Sequence, residues 1–199
     1  MNKNLLLPLL ATLLYSGCVP KISPNIIPIH NTTAPQPESI NSSTVKNIPL
    51  ADFSYYKLKT VQGPILTVGE SHTGFLFPDF KGKIILMQIL GQDCPHCLTE
   101  IPIINSIQAK YSQNLQVVAL QVQENMGVDI AKSFIQQHNI SYPFFDKNAA
   151  RNLMYGLKTN YEWNGVLPFI LLIKDGVTQE VFRGEKSQQK IEKAIQELL

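Results

Sequence analysis

The chain has 199 residues, enough for one domain with flanking segments, and 44% of them are hydrophobic, ordinary for a protein that buries a core. Its 17 basic and 15 acidic side chains leave a formal charge of +2, without the basic stripe or recognisable module of a nucleic-acid binder. Beyond residue 20 no apolar run approaches the ~20 residues needed to cross a bilayer, and three cysteines are too few for a disulfide framework.

Met1-Asn2-Lys3-Asn4 is a short basic start, and Leu5 to Leu14 is an apolar stretch too short to span a membrane. Tyr15-Ser16-Gly17-Cys18 then resembles a bacterial lipoprotein lipobox, with Tyr15 where an aliphatic residue is usual. The expectation is a signal peptide over 1–17 and lipid on Cys18. That would anchor an exported protein to a bacterial membrane, facing the periplasm or the cell exterior. An ordinary secretory peptide is the alternative. Residues 18–50 intersperse Pro20, Pro24, Pro28, Pro35, Pro37 and Pro49 with Asn, Ser and Thr. Such a composition buries too little apolar surface to offset ordering entropy, so the segment reads as a tether.

Residues 51–199 carry the folded domain. Phe53–Leu58 reads as an edge strand, and Gly63-Pro64 as a turn. Ile65–Val68 and Gly74–Phe77 follow as a short hairpin. Ile84–Leu90 is almost continuously apolar, the pattern of a central strand buried on both faces. The next segment has helical spacing, with Cys97, Ile101, Ile104, Gln108 and Tyr111 on one side and Pro102 expected to kink it. Leu115–Val122 is a second buried strand and Val128–His138 an amphipathic helix whose apolar face includes Val128, Ala131, Phe134 and Ile135. Tyr142–Phe145 is a short extended piece, and Asp146 can cap a helix running to about Gly156. A polar loop, Lys158–Gly165, carries Trp163. Leu167–Ile173 is a strand opened by a proline. Asp175-Gly176 turns it into the antiparallel Val177–Arg183, and Ser187–Leu199 closes the chain as a helix. Strands alternating with helices predict an α/β fold, a central mixed sheet covered on both faces, with an N-terminal hairpin extension and a helical insertion.

The chemistry is concentrated in Cys94-Pro95-His96-Cys97, between the first central strand and its helix. Helix N-terminal N–H groups favour a thiolate over a thiol, so Cys94 is placed to attack disulfides. Cys97, one helical turn on, is close enough to close a ring with it. A histidine between them can hydrogen-bond to the Cys94 thiolate or, when charged, favour it electrostatically. Alternative readings are a structural zinc half-site for the two thiols, an exposed residue without a tuning role for His96, and a surface first-turn carboxylate for Glu100.

Together these residues resemble the thioredoxin fold, in the TlpA/ResA-like branch of extracytoplasmic thiol–disulfide oxidoreductases. The resemblance covers about Asp52 to Leu199. Cys94, Cys97, Glu100 and Pro102 match the branch signature Cys-x-x-Cys-x-x-Glu-x-Pro, and Leu167-Pro168 matches the cis-proline that faces the redox pair. Asp93 departs from the usual tryptophan, and Gln88 stands where thioredoxins keep a buried carboxylate, which leaves Glu100 the nearer candidate for proton transfer. Pro95-His96 is similar to the dipeptide of DsbA-type oxidases. Peroxiredoxins share the fold but want Thr or Ser three residues before the reactive cysteine, where this chain has Gly91.

The resemblance implies thiol–disulfide exchange with protein clients, needing no cofactor and no metal. Cys94, Pro95, His96, Cys97 and Glu100 would form the catalytic group, with Leu167 and Pro168 binding the client chain. A membrane redox partner would supply or take electrons, and no nucleic acid is involved. Reduction of apocytochrome c or similar clients, and disulfide formation or isomerisation, are both open outlets. A copper carrier using the same thiols is the rival from another class.

Overall fold

The computed structural model describes residues 52–199. The expected signal peptide (1–17) and tether (18–50), including Cys18, lie outside the described residues, so the boundaries proposed there are not addressed by it.

Among the described residues, two sheets, four α-helices and a 3-10 turn at Pro78–Phe80 make up the domain. A small antiparallel sheet is formed in the order β1 (Ser54–Lys59), β2 (Ile65–Ser71) and β3 (Gly74–Leu76). The central sheet has five strands. In sequence these are β4 (Ile84–Leu90), β5 (Leu115–Gln121), β6 (Phe144–Phe145), β7 (Phe169–Lys174) and β8 (Val177–Arg183). In space they run β6-β5-β4-β7-β8. β4, β5 and β6 are mutually parallel, while β7 and β8 run antiparallel to their neighbours. The helices are α1 (Pro95–Lys110), α2 (Val128–Gln137), α3 (Lys147–Tyr161) and α4 (Gln188–Leu198).

Every residue of β4 is buried, as its apolar run requires of a strand covered on both sides. Its pleat sorts the core into two. Ile84, Leu86 and Leu90 point into one cluster with Cys97, Ile101 and Ile104 of α1 and Ile191 and Ile195 of α4. Ile85, Met87 and Ile89 point into the other, with Leu153 and Leu157 of α3 and Val68 and Phe75 of the small sheet. The alternation is the ordinary period of a strand. It also determines that Gln88, in phase with Leu86 and Leu90, lies on the α1 side.

Most strand expectations agree with the structure; the differences lie in helix extent and facing. α3 does not stop near Gly156 but runs to Tyr161, so much of the expected loop Lys158–Gly165 is its last turn. Gly156 is a packing glycine, because a Cβ there would come within 2.1 Å of Glu70 Oε1 and 3.1 Å of Phe75. The helix ends at Glu162, whose positive φ of 52° and N–H donated to Leu157 O form the C-cap. Trp163 is buried and donates its indole N–H to Val166 O at 2.9 Å. Val128, expected on the apolar face of α2, is exposed; that face is carried by Ala131 and Phe134. On α1 the fully buried positions include Ile107, while Gln108 and Tyr111 are half-buried. Pro102 lies within α1, which continues through it.

The free side of β6 is closed by the turn after β1. Val61 N–H donates to Phe144 O at 2.9 Å, and Phe144 N–H donates to Gln62 Oε1 at 3.2 Å. Gln62 Nε2 in turn donates to Tyr142 O at 2.8 Å. Asp175 and Gly176 both take positive φ, 51° and 81°, as a two-residue hairpin between β7 and β8 requires.

Candidate active site

Cys94 is the N-cap of α1 and Pro95 its first helical residue, where a missing N–H costs nothing. The N–H of Cys97 is shared between Cys94 O at 3.0 Å and Cys94 Sγ at 3.2 Å, so the sulfur sits against the N–H groups of the helix terminus. Cys94 and Cys97 are joined in a disulfide with their Cα atoms 5.2 Å apart. The two sulfurs are not equivalent: Cys94 retains 8% exposure and Cys97 has none. An incoming sulfur therefore meets Cys94 first.

One turn further along α1, Glu100 is fully buried. Gln88 Nε2 donates to its Oε2 at 3.4 Å, while Oε1 has no hydrogen-bond partner. Gln88 Oε1 accepts from the Tyr142 hydroxyl at 3.4 Å, completing a buried chain from Tyr142 through Gln88 to Glu100. Removal from water pushes the Glu100 carboxyl up to about 7, and the charge of Glu185 adds to this. The Gln88 bond and the Lys186 backbone and ammonium oppose the rise. Burial and the neighbouring Glu100 likewise push the Tyr142 hydroxyl upward, keeping it a neutral donor.

His96 and Pro95 are exposed beside the disulfide. His96 Nδ1 lies 2.8 Å from Glu185 Oε2, and the Thr99 hydroxyl lies 3.3 Å from Glu185 Oε1. Across from α1, the Leu167–Pro168 bond is cis. Leu167 packs against the core cluster that contains Cys94 and Cys97. Pro168 O accepts from Gly184 N–H at 2.9 Å, whereas Leu167 makes no backbone hydrogen bond among the described residues. Before the disulfide, Asp93 N–H donates to Gln123 Oε1 at 2.8 Å, and a Cβ on Gly91 would come within 2.2 Å of Gln123.

Cys94, Pro95, His96, Cys97 and Glu100 thus lie together at the start of α1, and Leu167, next to the cis Pro168, packs against the same core cluster as the two cysteines. Cys18 lies outside the described residues. Sequence reasoning missed Glu185, Tyr142 and Gln123. Glu185 is 89 positions from His96, and no local pattern links them. Tyr142 carried a signal in hindsight, since a tyrosine before a buried two-residue strand needs a partner for its hydroxyl.

A Redoxin family model matches residues 57–198. The chain belongs to the Redoxin family. This redoxin is 30% identical over 124 residues to the thiol-disulfide oxidoreductase ResA of Bacillus thuringiensis subsp. konkukian, covering 60% of this chain and 66% of that protein. The match thus spans slightly less than two thirds of the relative's length. Among solved structures it is similar to a thiol:disulfide interchange protein of Chlorobium tepidum TLS, with a TM-score of 0.57 at 20% identity, covering 72% of this chain and 92% of that one. It is also similar to StoA of Bacillus subtilis, with a TM-score of 0.53 at 16% identity over 71% and 96% of the two chains. The redoxin has the thioredoxin-like fold expected from its sequence, with the N-terminal strands of the small sheet added to it. Among the described residues no helix is long and apolar enough to cross a membrane.

Proposed function

We propose that this redoxin is a thiol–disulfide oxidoreductase acting on protein clients outside the cytoplasm. The observation that carries this reading is the asymmetric disulfide at the start of α1: one sulfur reachable, the other sealed, and a carboxyl group with a pKa of about 7 buried one turn below. In the reducing direction the Cys94 thiolate attacks a client disulfide. A Cys94–client bond forms, the client S–S bond breaks, and one client sulfur leaves as thiolate. Cys97 then loses its proton to Glu100 and attacks Cys94 Sγ, releasing the second client thiolate and closing the Cys94–Cys97 bond. Two electrons pass from the pair to the client, and the two client thiolates take their protons from Glu100 and from solvent, which had received those of Cys97 and Cys94. The oxidising direction is the same sequence reversed.

The backbone of Leu167, without a backbone hydrogen bond among the described residues and beside the cis-proline, supports a docking role in which an extended client strand bonds to it next to the sulfurs. Export and lipid attachment at Cys18 remain part of the proposal on the strength of the lipobox-like sequence. A membrane redox partner would then reset the pair. ResA of Bacillus thuringiensis is a thiol-disulfide oxidoreductase, which supports the same chemistry here.

The test is turnover of insulin with dithiothreitol by the soluble domain, together with trapping by Cys97→Ser. Mixed disulfides through Cys94 are expected in that variant and not in Cys94→Ser. A protein with both thiols titratable that exchanges with no disulfide substrate would overturn the reading. The equilibrium potential of the pair sets the direction: near about −120 mV it is an oxidant, near about −270 mV a reductant. Stoichiometric Cu(I) binding without exchange would instead support a carrier.

A further inference from the structure

One short loop, Gly184-Glu185-Lys186 between β8 and α4, borders the site and bonds to both Pro168 and the first turn of α1. Gly184 N–H holds Pro168 O at 2.9 Å. The positive charge of Lys186 favours the ionised form of the buried Glu100. Glu185 reaches α1 itself, with Oε2 2.8 Å from His96 Nδ1 and Oε1 3.3 Å from the Thr99 hydroxyl. The Thr99 hydroxyl also lies 3.0 Å from His96 O, so the histidine's ring and its backbone are bound into one cluster.

A carboxylate only accepts hydrogen bonds, so the imidazole nitrogen facing it carries the hydrogen. This selects one tautomer when His96 is neutral: hydrogen on Nδ1, lone pair on Nε2. His96 is otherwise exposed, its side chain 71% accessible, and has no other hydrogen bond from its ring. Nothing else in the described residues holds that ring.

We propose that Glu185 is a positioning residue for thiol–disulfide exchange. It fixes the ring and tautomer of His96 so that Nε2 is the nitrogen presented beside Cys94 to sulfurs arriving and leaving. Glu185 touches neither sulfur, and its influence passes through the histidine. The inference rests on the exchange activity proposed above, but the ring geometry can be measured without it.

Two measurements test it. In the oxidised protein labelled with 15N-histidine, at a pH where imidazole is neutral, His96 is expected with its hydrogen on Nδ1. Glu185→Ala is expected to shift it toward the Nε2–H form, and Glu185→Gln, which keeps an acceptor oxygen, to restore the wild-type pattern. An Nε2–H tautomer in the wild type would overturn the proposal whether or not the protein exchanges disulfides. The second measurement is the rate of Cys94 reacting with a small aromatic disulfide. Glu185→Ala is expected to change it by about threefold or more, and to add nothing in a His96→Ala background. The Glu185 charge also raises the Glu100 carboxyl. An effect that persisted without His96 would therefore place the action of Glu185 on Glu100 or Cys94 directly and overturn the proposal, as would no effect at all.

Discussion

Glu100 is the residue where burial does the most chemistry. Its ordinary value of 4.5 is raised to about 7 mainly by loss of water. Below 4.5 the group is protonated in both folded and unfolded chains and contributes no pH dependence. Between 4.5 and about 7 the unfolded chain ionises while the fold retains the proton, so stability falls as pH rises. Above that the loss is complete, roughly 3 kcal/mol for a fully buried group. Glu100→Gln should remove this dependence and leave the oxidised protein more stable than wild type at about pH 8, measured by urea unfolding at about pH 5 and about pH 8. In the proposed mechanism Glu100 takes the Cys97 proton, so the same substitution should slow resolution of the mixed disulfide. A loss of about 10²-fold is expected in stopped-flow single-turnover kinetics.

At the scale of elements, Asp146 is an anchor for three segments at once. Its carboxylate accepts from Lys147 N–H at 2.9 Å as the cap of α3, from Met126 N–H at 3.1 Å, and from Gln121 Nε2 at 3.0 Å. Asp146→Ala should cost about 2 kcal/mol, read as a lower denaturation midpoint with an unchanged slope. The cap was legible in the sequence because an aspartate before a helical pattern has few other uses. The extent of the helix was not: Gly156 looked like a terminator and is instead the place where Glu70 and Phe75 press against α3. Likewise the Cys94–Cys97 spacing and the strand before it were readable because each is local, whereas the cis bond at Leu167-Pro168 was implied by the family resemblance. Glu100 was readable as a residue but its burial was not. Its buried bond comes from Gln88 of β4, which is bonded in turn by Tyr142 from the segment before β6. The Glu185–His96 pair was illegible for the same reason, since only tertiary packing joins α1 to the loop after β8.

The whole molecule separates its reactive and its quiet sides by the central sheet. Cys94, Cys97 and Tyr142 share one core cluster, which also packs against α4; the small sheet and α3 lie on the other. Substitutions in the second cluster should therefore lower stability without changing the potential of the pair. Phe75→Ala, which empties a fully buried site, should cost about 3–5 kcal/mol in urea unfolding. Its glutathione equilibrium should match wild type.

The clasp of Val61 and Gln62 over β6 bears on how the domain behaves in company. An outer strand with free N–H and C=O groups is a template on which another chain can grow. Gln62→Ala should leave Phe144 N–H and Tyr142 O without their partner. Light scattering of the concentrated variant should then rise with time, while the wild type stays monodisperse.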